Sequence, residues 1–279
     1  MDLEDRKRFK VGKKEQGETL VDFLARRTSV SKKAAKRWLD AEAVRVNNKC
    51  VWMAKHALEA EDVVEVVSTS GDAADVKNSA LLYEDSVYIL VNKPAGMLSV
   101  GRKSAEQKVR REWGNQAIAA VHRLDRDTSG CLMFAKNRAA WTAATELFRS
   151  REIFKSYHAL VHGRPRKESG TIRQPIEGQK AVTHYRVVSA NRQISHLVLR
   201  LDTGRTHQAR KHLAGIGHPV VGERRYGKRS YTVNTAGVRR QMLHAEKIRF
   251  EHPWGGQLIT VAAPLAQDFA ACLQSWGIS

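Results

Sequence analysis

Cysteine is scarce in this sequence, and the few cysteines stand far apart. The 279 residues include only Cys50, Cys131 and Cys272, and no CxxC pair occurs. A small disulfide scaffold or a cysteine-based zinc site needs several cysteines at close spacing. Both are excluded, and the pattern is typical of a protein from a reducing compartment.

Long apolar runs are also missing. No apolar segment approaches the roughly 20 residues that a helix needs to cross a bilayer. The first five residues, Met1 to Asp5, include three acids, whereas a signal peptide begins with basic residues. We therefore expect a cytoplasmic protein, a monomer with no membrane partner.

Acidic residues are few relative to basic ones. Asp and Glu total 29 against 48 Lys and Arg, which gives a net charge of +19 with neutral histidines. The excess is uneven, because residues 1–70 carry a net +3 and the remainder carries +16. Such a surplus favours a polyanionic partner, above all nucleic acid, although a generally basic soluble protein is the structural alternative.

The composition changes along the chain predict two domains. We expect an N-terminal tail over residues 1–16, a small domain over 17–68, a linker over 69–80 and a larger domain over 81–279. The residues of the linker range are small and polar and show no regular apolar repeat. Many short strands with interspersed helices in the last range predict an α+β fold.

The small domain combines two helices with a basic stripe. Leu20, Phe23 and Leu24 recur at helical spacing, and Ser31 marks the start of a second helix. No acid occurs between Leu24 and the end of that helix. The basic residues of this stretch are Arg26, Arg27, Lys32, Lys33, Lys36 and Arg37.

Together with strands expected at 44–47 and 61–67, this pattern resembles the ribosomal-protein-S-four-type RNA-binding domain. One departure is Glu42-Ala43, where a glycine is usual. The resemblance implies binding to RNA phosphates by charge and shape rather than by reading bases. A solvated helix face is the structural alternative.

A polar turn before a buried strand is the centre of the larger domain. Residues 120–130 contain Asp125 and Asp127 and end on Gly130, and the apolar run 131–135 follows. Functional side chains are often placed on loops held by a rigid scaffold. The structural alternative is a capped turn whose aspartates bond backbone amides.

Three further segments place polar residues on regular elements. Residues 137–150 predict a helix with Trp141 on its inner face, and 155–163 alternate as a strand that includes Tyr157. At 202–213 a strand, a glycine turn and a helix follow each other, and we predict that Thr206 caps this helix. A helix N-terminus flanked by arginine suits phosphate or carboxylate, and a capped basic helix is the alternative.

Six short motifs occur in a fixed order within residues 81–265. They are Asn92-Lys93-Pro94-Ala95-Gly96, His122-Arg123-Leu124-Asp125 through Thr128-Ser129-Gly130, Lys155-Ser156-Tyr157, Thr203-Gly204-Arg205-Thr206-His207-Gln208, His218-Pro219-Val220-Val221-Gly222 and Leu243-His244-Ala245. Together they resemble the RluA family of pseudouridine synthases. The resemblance implies the pseudouridine synthase fold, with a mixed, largely antiparallel central sheet and flanking helices. It also implies conversion of uridine in RNA to pseudouridine without a cofactor.

The resemblance assigns roles to individual residues. Asp125 is the catalytic carboxylate, Tyr157 packs against the target base, and Arg205 pairs with the carboxylate. Arg123 is expected to fill the space left by the flipped nucleotide. The residues expected to contact RNA or the base are Arg123, His122, Leu243 and Thr128.

These residue types fit the chemistry. The glycosidic bond must break and uracil must rotate without escaping, which a closed and fairly apolar pocket around a flipped base allows. A carboxylate can attack the sugar or remove a proton, and a nearby arginine favours its ionised form. The hydroxyl of the tyrosine can serve as a late proton acceptor.

Each assignment has a plainer alternative. Asp127 falls where the family varies and is interpreted as a turn or capping residue. Tyr157 and Leu243 could be core residues, and Arg205 could be a surface phosphate clamp. The segments 93–122 and 177–180 are shorter than in many family members, so the resemblance defines the reaction more closely than the RNA position.

Other functions are weighed against this one. The His122-Arg123-Leu124-Asp125 sequence superficially matches a kinase catalytic loop, but the glycine-rich loop and the Asp-Phe-Gly motif of kinases are missing. The histidines match no standard metal motif. The remaining alternative is an RNA-binding ribosome-assembly factor without catalysis. For a synthase, large-subunit ribosomal RNA is the expected substrate and transfer RNA the alternative.

Overall fold

The computed structural model describes residues 6–40, 44–51, 53–67, 81–227 and 238–278. The chain divides into two compact units, residues 1–74 and 75–279. In chain order the helices and strands are β1 (Arg6–Lys10), α1 (Leu20–Arg27), α2 (Lys32–Asp40), β2 (Val44–Val46), β3 (Lys49–Cys50), β4 (Val63–Val67), β5 (Leu81–Glu84), β6 (Tyr88–Lys93), α3 (Ala105–Glu112), β7 (Ala119–Ala120), β8 (Ser129–Ala135), α4 (Arg138–Arg149), β9 (Phe154–His162), β10 (Ser169–Ile172), β11 (Thr183–Ala190), β12 (Ile194–Leu201), α5 (Gln208–Gly215), β13 (Leu243–Glu251), β14 (Leu258–Ala262) and α6 (Gln267–Ser275).

The small unit packs two helices against an antiparallel sheet of strand order β1-β4-β2-β3. The helices begin where the sequence predicts. Ser31 accepts the N–H of Ala34 at 3.2 Å, as a capping residue does. Leu20, Phe23 and Leu24 of α1 are fully buried, so the periodic apolar face is the one that packs.

Strand β1 corrects the expected N-terminal tail of residues 1–16. Residues 6–10 pair with β4, with Phe9 opposite Val64, so the small unit includes chain that the sequence analysis left outside it. The segment has a single apolar residue, Phe9, among basic ones. No alternation of apolar and polar residues predicted a strand in this segment. The ring of Phe9 contacts that of Phe23 edge to face, with ring centroids 6.5 Å apart.

Several cations of the basic stripe are paired with acids. Arg26 and Arg27 both bond Glu15, at 2.7 and 3.0 Å, and Lys32 lies 2.9 Å from Asp22. Their side chains nevertheless stay 40–73% exposed. Of the other three, Lys36 is exposed, and the side chains of Lys33 and Arg37 lie outside the described residues.

The large unit is built on one ten-stranded sheet. Its path is β10-β11-β12-β9-β13-β8-β6-β5, with β14 beside β13 and β7 beside β8. Every pairing is antiparallel except that of β8 with β13. The expected mixed, largely antiparallel sheet with flanking helices is confirmed.

The parallel pairing of β8 and β13 joins the two halves of the sheet over only two residues. Ser129 lies opposite His244 and Gly130 opposite Ala245. Gly130 has φ +113°, and a Cβ there would lie 2.1 Å from the carbonyl oxygen of Ala245. Only glycine allows the two backbones to approach this closely.

Helix α4 covers one face of the sheet, but not through the residue expected. Ala140 and Ala144 are fully buried in a core with Tyr88 and Phe250. Trp141, expected to face inward, is 40% exposed. Its indole N–H donates to the carbonyl of Ala120 at 3.1 Å, a bond that holds the ring at the edge of the core.

Among the described residues, no helix combines the length and the apolar character needed to cross a membrane.

Candidate active site

A cavity of about 450 Å³ opens between the 121–128 loop, α4, the first half of β9 and residues 201–210. Pockets for small molecules or nucleotides have volumes of about 300–1,000 Å³. Seven of the sequence-predicted site residues line it: Asp125, Tyr157, Arg205, Arg123, His122, Thr128 and Leu243. The other six predicted RNA-contacting residues belong to the small unit.

The loop that carries Asp125 is fixed by buried polar side chains. Ser99 bonds both backbone groups of Leu124 at 2.9 Å. The fully buried Lys93 donates to the carbonyls of Pro94, Met97 and Arg126 at 2.9–3.0 Å, which uses all three of its N–H donors. Burial lowers the pKa of Lys93 to about 8. The Asn92–Gly96 motif therefore positions the loop rather than the substrate.

Arg210, and not Arg205, pairs with the carboxylate of Asp125. Arg210 Nη1 lies 3.0 Å from Asp125 Oδ2, whereas Arg205 is exposed and its Nε donates to the Lys180 carbonyl at 3.2 Å. The expected pairing of Asp125 with Arg205 is therefore wrong, and the arginine that pairs lies five positions later in the chain. Arg205 still lines the cavity, where it is available to a bound anion.

Glu223 holds Arg210 in this position. The guanidinium donates to both carboxylate oxygens of Glu223, at 2.6 and 2.8 Å, and the exposed fractions of the two side chains are 7% and 1%. Burial alone would raise the pKa of Glu223, but the hydrogen bonds and charge of Arg210, together with hydrogen bonds from the backbone of Arg225 and Tyr226, outweigh it and keep the pKa below its usual value. Two parallel bonds also fix the orientation of the guanidinium plane.

His207 lies on the other carboxylate oxygen. Its Nε2 is 3.7 Å from Asp125 Oδ1, and its Nδ1 is 2.6 Å from the hydroxyl of Tyr226. Burial lowers the pKa of His207, which the charge of Asp125 opposes. His207 has φ +56°, a left-handed conformation that turns the chain just before α5.

The predicted cap at Thr206 is wrong, because α5 begins at Gln208 with His207 at the cap position and no side-chain cap. The loop is held instead by the buried amide of Gln208. Its Oε1 accepts the hydroxyl of Thr203 at 2.6 Å, and its Nε2 donates to the Val182 carbonyl at 2.9 Å. One side chain thus fixes the loop before α5 from within.

Tyr157 stands on β9 and packs between two apolar clusters that include Leu124 and Leu243. Burial raises the pKa of its hydroxyl, and the nearby charge of Asp125 raises it further. The phenol is therefore neutral at physiological pH. The ring offers an apolar face inside the cavity.

Two of the expected base-contacting residues also have structural bonds. His122 Nε2 accepts the N–H of Met133 at 3.1 Å, and burial lowers the pKa of His122 to about 3, so its ring is neutral. Thr128 is buried and accepts the amide of Gln241 at 3.4 Å. Leu243 is 4% exposed, and the exposed Arg123 forms no ion pair within the described residues.

Asp127, the rival carboxylate, does not line the cavity. Its carbonyl oxygen accepts a bond from Arg240 at 3.0 Å. Over the part of the chain that the structure describes, no three His, Cys, Asp or Glu side chains are placed to share a metal ion. The site is therefore a single carboxylate with its arginine, beside an aromatic ring.

Sequence reasoning missed three residues of this site: Arg210, Glu223 and the ring of His207. The signal for Arg210 was present, because it follows Thr203–Gln208 on the same predicted helix. Nothing local linked Glu223 to Asp125, since the two meet only through Arg210.

Comparison with known proteins identifies one family. Residues 87–215 match the family described as RNA pseudouridylate synthase. The chain is 30% identical over 289 aligned positions to the uncharacterized RNA pseudouridine synthase YhcT of Bacillus subtilis, which covers 92% of this chain and 93% of that protein. It is also 30% identical to the ribosomal large subunit pseudouridine synthase D of Haemophilus influenzae, covering 88% of this chain and 86% of that protein.

Among solved structures, human RNA pseudouridylate synthase domain containing 1 superposes with a TM-score of 0.58 at 26% identity, covering 75% of this chain and 98% of that chain. The fold, the ordered motifs and the near full-length relatives agree. The chain belongs to the RNA pseudouridine synthase family and is an isomerase that converts uridine in RNA to pseudouridine.

Proposed function

We propose that the protein modifies a uridine of large-subunit ribosomal RNA and that Asp125 is its catalytic carboxylate. The observation that supports the catalytic role is the pairing of Asp125 with the buried Arg210 at 3.0 Å, inside a cavity that also holds Tyr157. The substrate is inferred from the Haemophilus influenzae relative, which is named a ribosomal large subunit pseudouridine synthase.

The reaction needs a flipped base and a fixed carboxylate. The bond between ribose C1′ and uracil N1 breaks, the uracil rotates, and C5 bonds to C1′. The proton on C5 then leaves while N1 gains one, so the composition of the nucleotide is unchanged. In either role open to it, as nucleophile at C1′ or as base on a ribose proton, Asp125 acts as a carboxylate. Arg210 donates a hydrogen bond to it at 3.0 Å and supplies the opposite charge.

The cavity walls suit retention of the free base. Tyr157 and Leu243 give apolar surfaces on which uracil can stack and turn, and Arg123 at the exposed side can occupy the space that the nucleotide vacates. Because its hydroxyl is neutral, Tyr157 can only relay the C5 proton late in the reaction, accepting it while its own proton passes to another base. Water exclusion by the bound RNA prevents loss of the uracil to hydrolysis.

We further propose that the small unit is an RNA-binding domain of the ribosomal-protein-S-four type, which spans residues 17–68 together with β1. Support comes from its basic helices on a small sheet. The side chains of Arg26, Arg27 and Lys32 are 40–73% exposed, and ion pairs at an exposed surface add little stability. RNA phosphates can therefore reach these cations beside their carboxylate partners.

Pseudouridine mapping tests the substrate and the catalytic residue together. Total RNA is compared between cells with and without the gene, and cells complemented with wild type, Asp125→Asn or Asp127→Asn. We expect one or more sites in large-subunit ribosomal RNA to disappear on deletion and to return with wild type and with Asp127→Asn, but not with Asp125→Asn. Asp127→Asn is the matched control, because it makes the same change two residues away and outside the cavity.

Purified Asp125→Asn should bind the substrate RNA nearly as tightly as wild type, because phosphate contacts dominate affinity. An active Asp125→Asn enzyme would contradict the catalytic role. If the site that disappears lies in transfer RNA instead, the proposed substrate changes and the proposed mechanism does not. No change at any site would favour the assembly-factor alternative in those cells.

A further inference from the structure

One wall of the cavity has a cation without a counter-ion. The last turns of α4 contribute Thr145, Phe148 and Arg149, and the start of β9 contributes Lys155. Arg149 is already bonded to both carboxylate oxygens of Glu146, at 2.6 and 2.7 Å. Of the two cations on this wall, Lys155 is the one that forms no ion pair with a described carboxylate.

The ammonium of Lys155 is held by an aromatic ring instead of an acid. Its Nζ lies 5.2 Å from the centroid of Phe148, and no carboxylate within the described ranges forms an ion pair with it. Asp202 is the acid whose charge acts on it, but the oxygens of Asp202 are taken by His184 and Arg200 at 2.8–3.0 Å. Burial lowers the pKa of Lys155 to about 8, so the side chain is mostly charged at neutral pH.

The phosphodiester backbone of RNA supplies the negative charge that Lys155 lacks. A phosphate has a full negative charge and several acceptor oxygens, whereas the carbonyls of a base are neutral acceptors that leave the ammonium uncompensated. Lys155 also lies two residues before Tyr157, so the two side chains share a face of β9 at a separation of about 7 Å. A nucleotide whose base lies on Tyr157 brings a flanking phosphate close to Lys155.

We propose that Lys155 forms a subsite for an RNA backbone phosphate beside the nucleotide that enters the cavity. The proposal rests on the proposed function in taking Tyr157 as the base contact. It adds a binding role for the lysine of the Lys155-Ser156-Tyr157 motif. Its effect is on affinity for RNA and on the position of the ribose relative to Asp125.

The test uses the full chain and a hairpin RNA whose uridine the purified enzyme converts, from whichever RNA class it comes. Affinity is measured by fluorescence anisotropy over a series of salt concentrations. Lys155→Met keeps the packing of the stem and removes the charge, so we expect the Kd to rise about tenfold. The slope of log affinity against log salt should fall by about one phosphate contact. Lys167→Met, at an exposed lysine outside the cavity, is the matched control.

Hairpins with one neutral methylphosphonate at a time locate the phosphate. At a single position flanking the converted uridine, we expect the neutral linkage to weaken binding by wild type and to abolish the difference between wild type and Lys155→Met. A difference that persists at every position, or a Lys155→Met variant with wild-type affinity and slope, would overturn the proposal. Turnover tests the proposed function and these isotherms test the subsite, so each can fail without the other.

Discussion

At the scale of single residues, the active site depends on an arginine between two carboxylates. Arg210 is bonded twice to the buried Glu223 and once to Asp125. Glu223 fixes the guanidinium before RNA arrives, so a further N–H is already directed at Asp125, the carboxylate that we propose reacts. Such preorganised charge is usually the largest contribution to catalysis.

Arg210→Met should lower kcat by about 10²–10³-fold, a loss typical of removing one preorganised electrostatic partner. It should also lower the free energy of unfolding by about 3–5 kcal/mol, because Glu223 is left as an unpaired buried charge. Single-turnover kinetics and urea unfolding measure the two effects.

Arg205→Met is the matched control, since it removes an exposed arginine of the same cavity and should leave stability nearly unchanged. The double variant Arg210→Met/Glu223→Gln should recover much of the stability but not the turnover. A larger loss of kcat in Arg205→Met than in Arg210→Met would indicate that Arg205, and not Arg210, is the arginine that assists Asp125.

The sequence could not predict which arginine contacts Asp125, and the reason is geometric. Arg205 and Arg210 lie on opposite sides of the left-handed turn at His207. Motif matching placed only Arg205 at the site, because a motif does not supply the backbone angles that decide which arginine reaches the carboxylate. Asp125 and Tyr157 were placed in the cavity correctly because each stands on or next to a core strand.

At the scale of elements, the two-residue pairing of β8 with β13 sets the position of the catalytic loop. Asp125 precedes β8 by a few residues and Tyr157 lies on β9, which also pairs with β13. The distance between the carboxylate and the ring thus depends on how closely β8 approaches β13. Gly130 makes this approach possible.

Gly130→Ala should therefore prevent assembly of the large unit, because its Cβ would overlap the backbone of Ala245. We expect little soluble protein, or a thermal midpoint far below wild type. Gly178→Ala is the control, because Gly178 also has a positive φ but has no atom within 4 Å of the added Cβ, so it should cost only about 1–2 kcal/mol. Equal midpoints for the two variants would show that close backbone approach is not what selects Gly130.

Elements with a regular apolar repeat were predicted well from the sequence, and elements without such a repeat were not. The helices at 20–27 and 138–149 and the strand at 154–162 follow apolar repeats that the chain uses in packing. Strand β1 has no repeat, since its only apolar residue is Phe9, and its pairing with β4 depends on contacts over 50 residues away. Trp141 shows a second limit of prediction from apolar repeats. Its indole N–H bonds the carbonyl of Ala120, and the ring lies at the edge of the core instead of inside it.

At the scale of the whole molecule, the charge and the chemistry reside mainly in the large unit. Residues after position 70 carry a net +16 and include every residue of the cavity. The small unit, by its moderate charge and its own core, is suited to adding affinity and selecting the RNA.

A variant that begins at residue 75 should fold, keep kcat nearly unchanged and show a raised KM, because the missing unit contributes phosphate contacts and not reacting groups. Far-ultraviolet circular dichroism and steady-state kinetics on a substrate hairpin measure this. The small unit made alone should bind the same hairpin weakly and with strong salt dependence. A truncated protein that does not fold would show that the two units are not independent.

The position of β13 determines when the protein can first act during its synthesis. His244 pairs with Ser129, which lies 115 positions earlier in the chain, and β13 occupies the centre of its sheet although eight other strands of that sheet are made before it. Until it has left the ribosome, β8 and β9 belong to separate half-sheets with open edges, which are prone to pairing with other chains. The nascent chain therefore remains catalytically silent until β13 has emerged, and ribosomal stalling before residue 243 would leave an inert, aggregation-prone product.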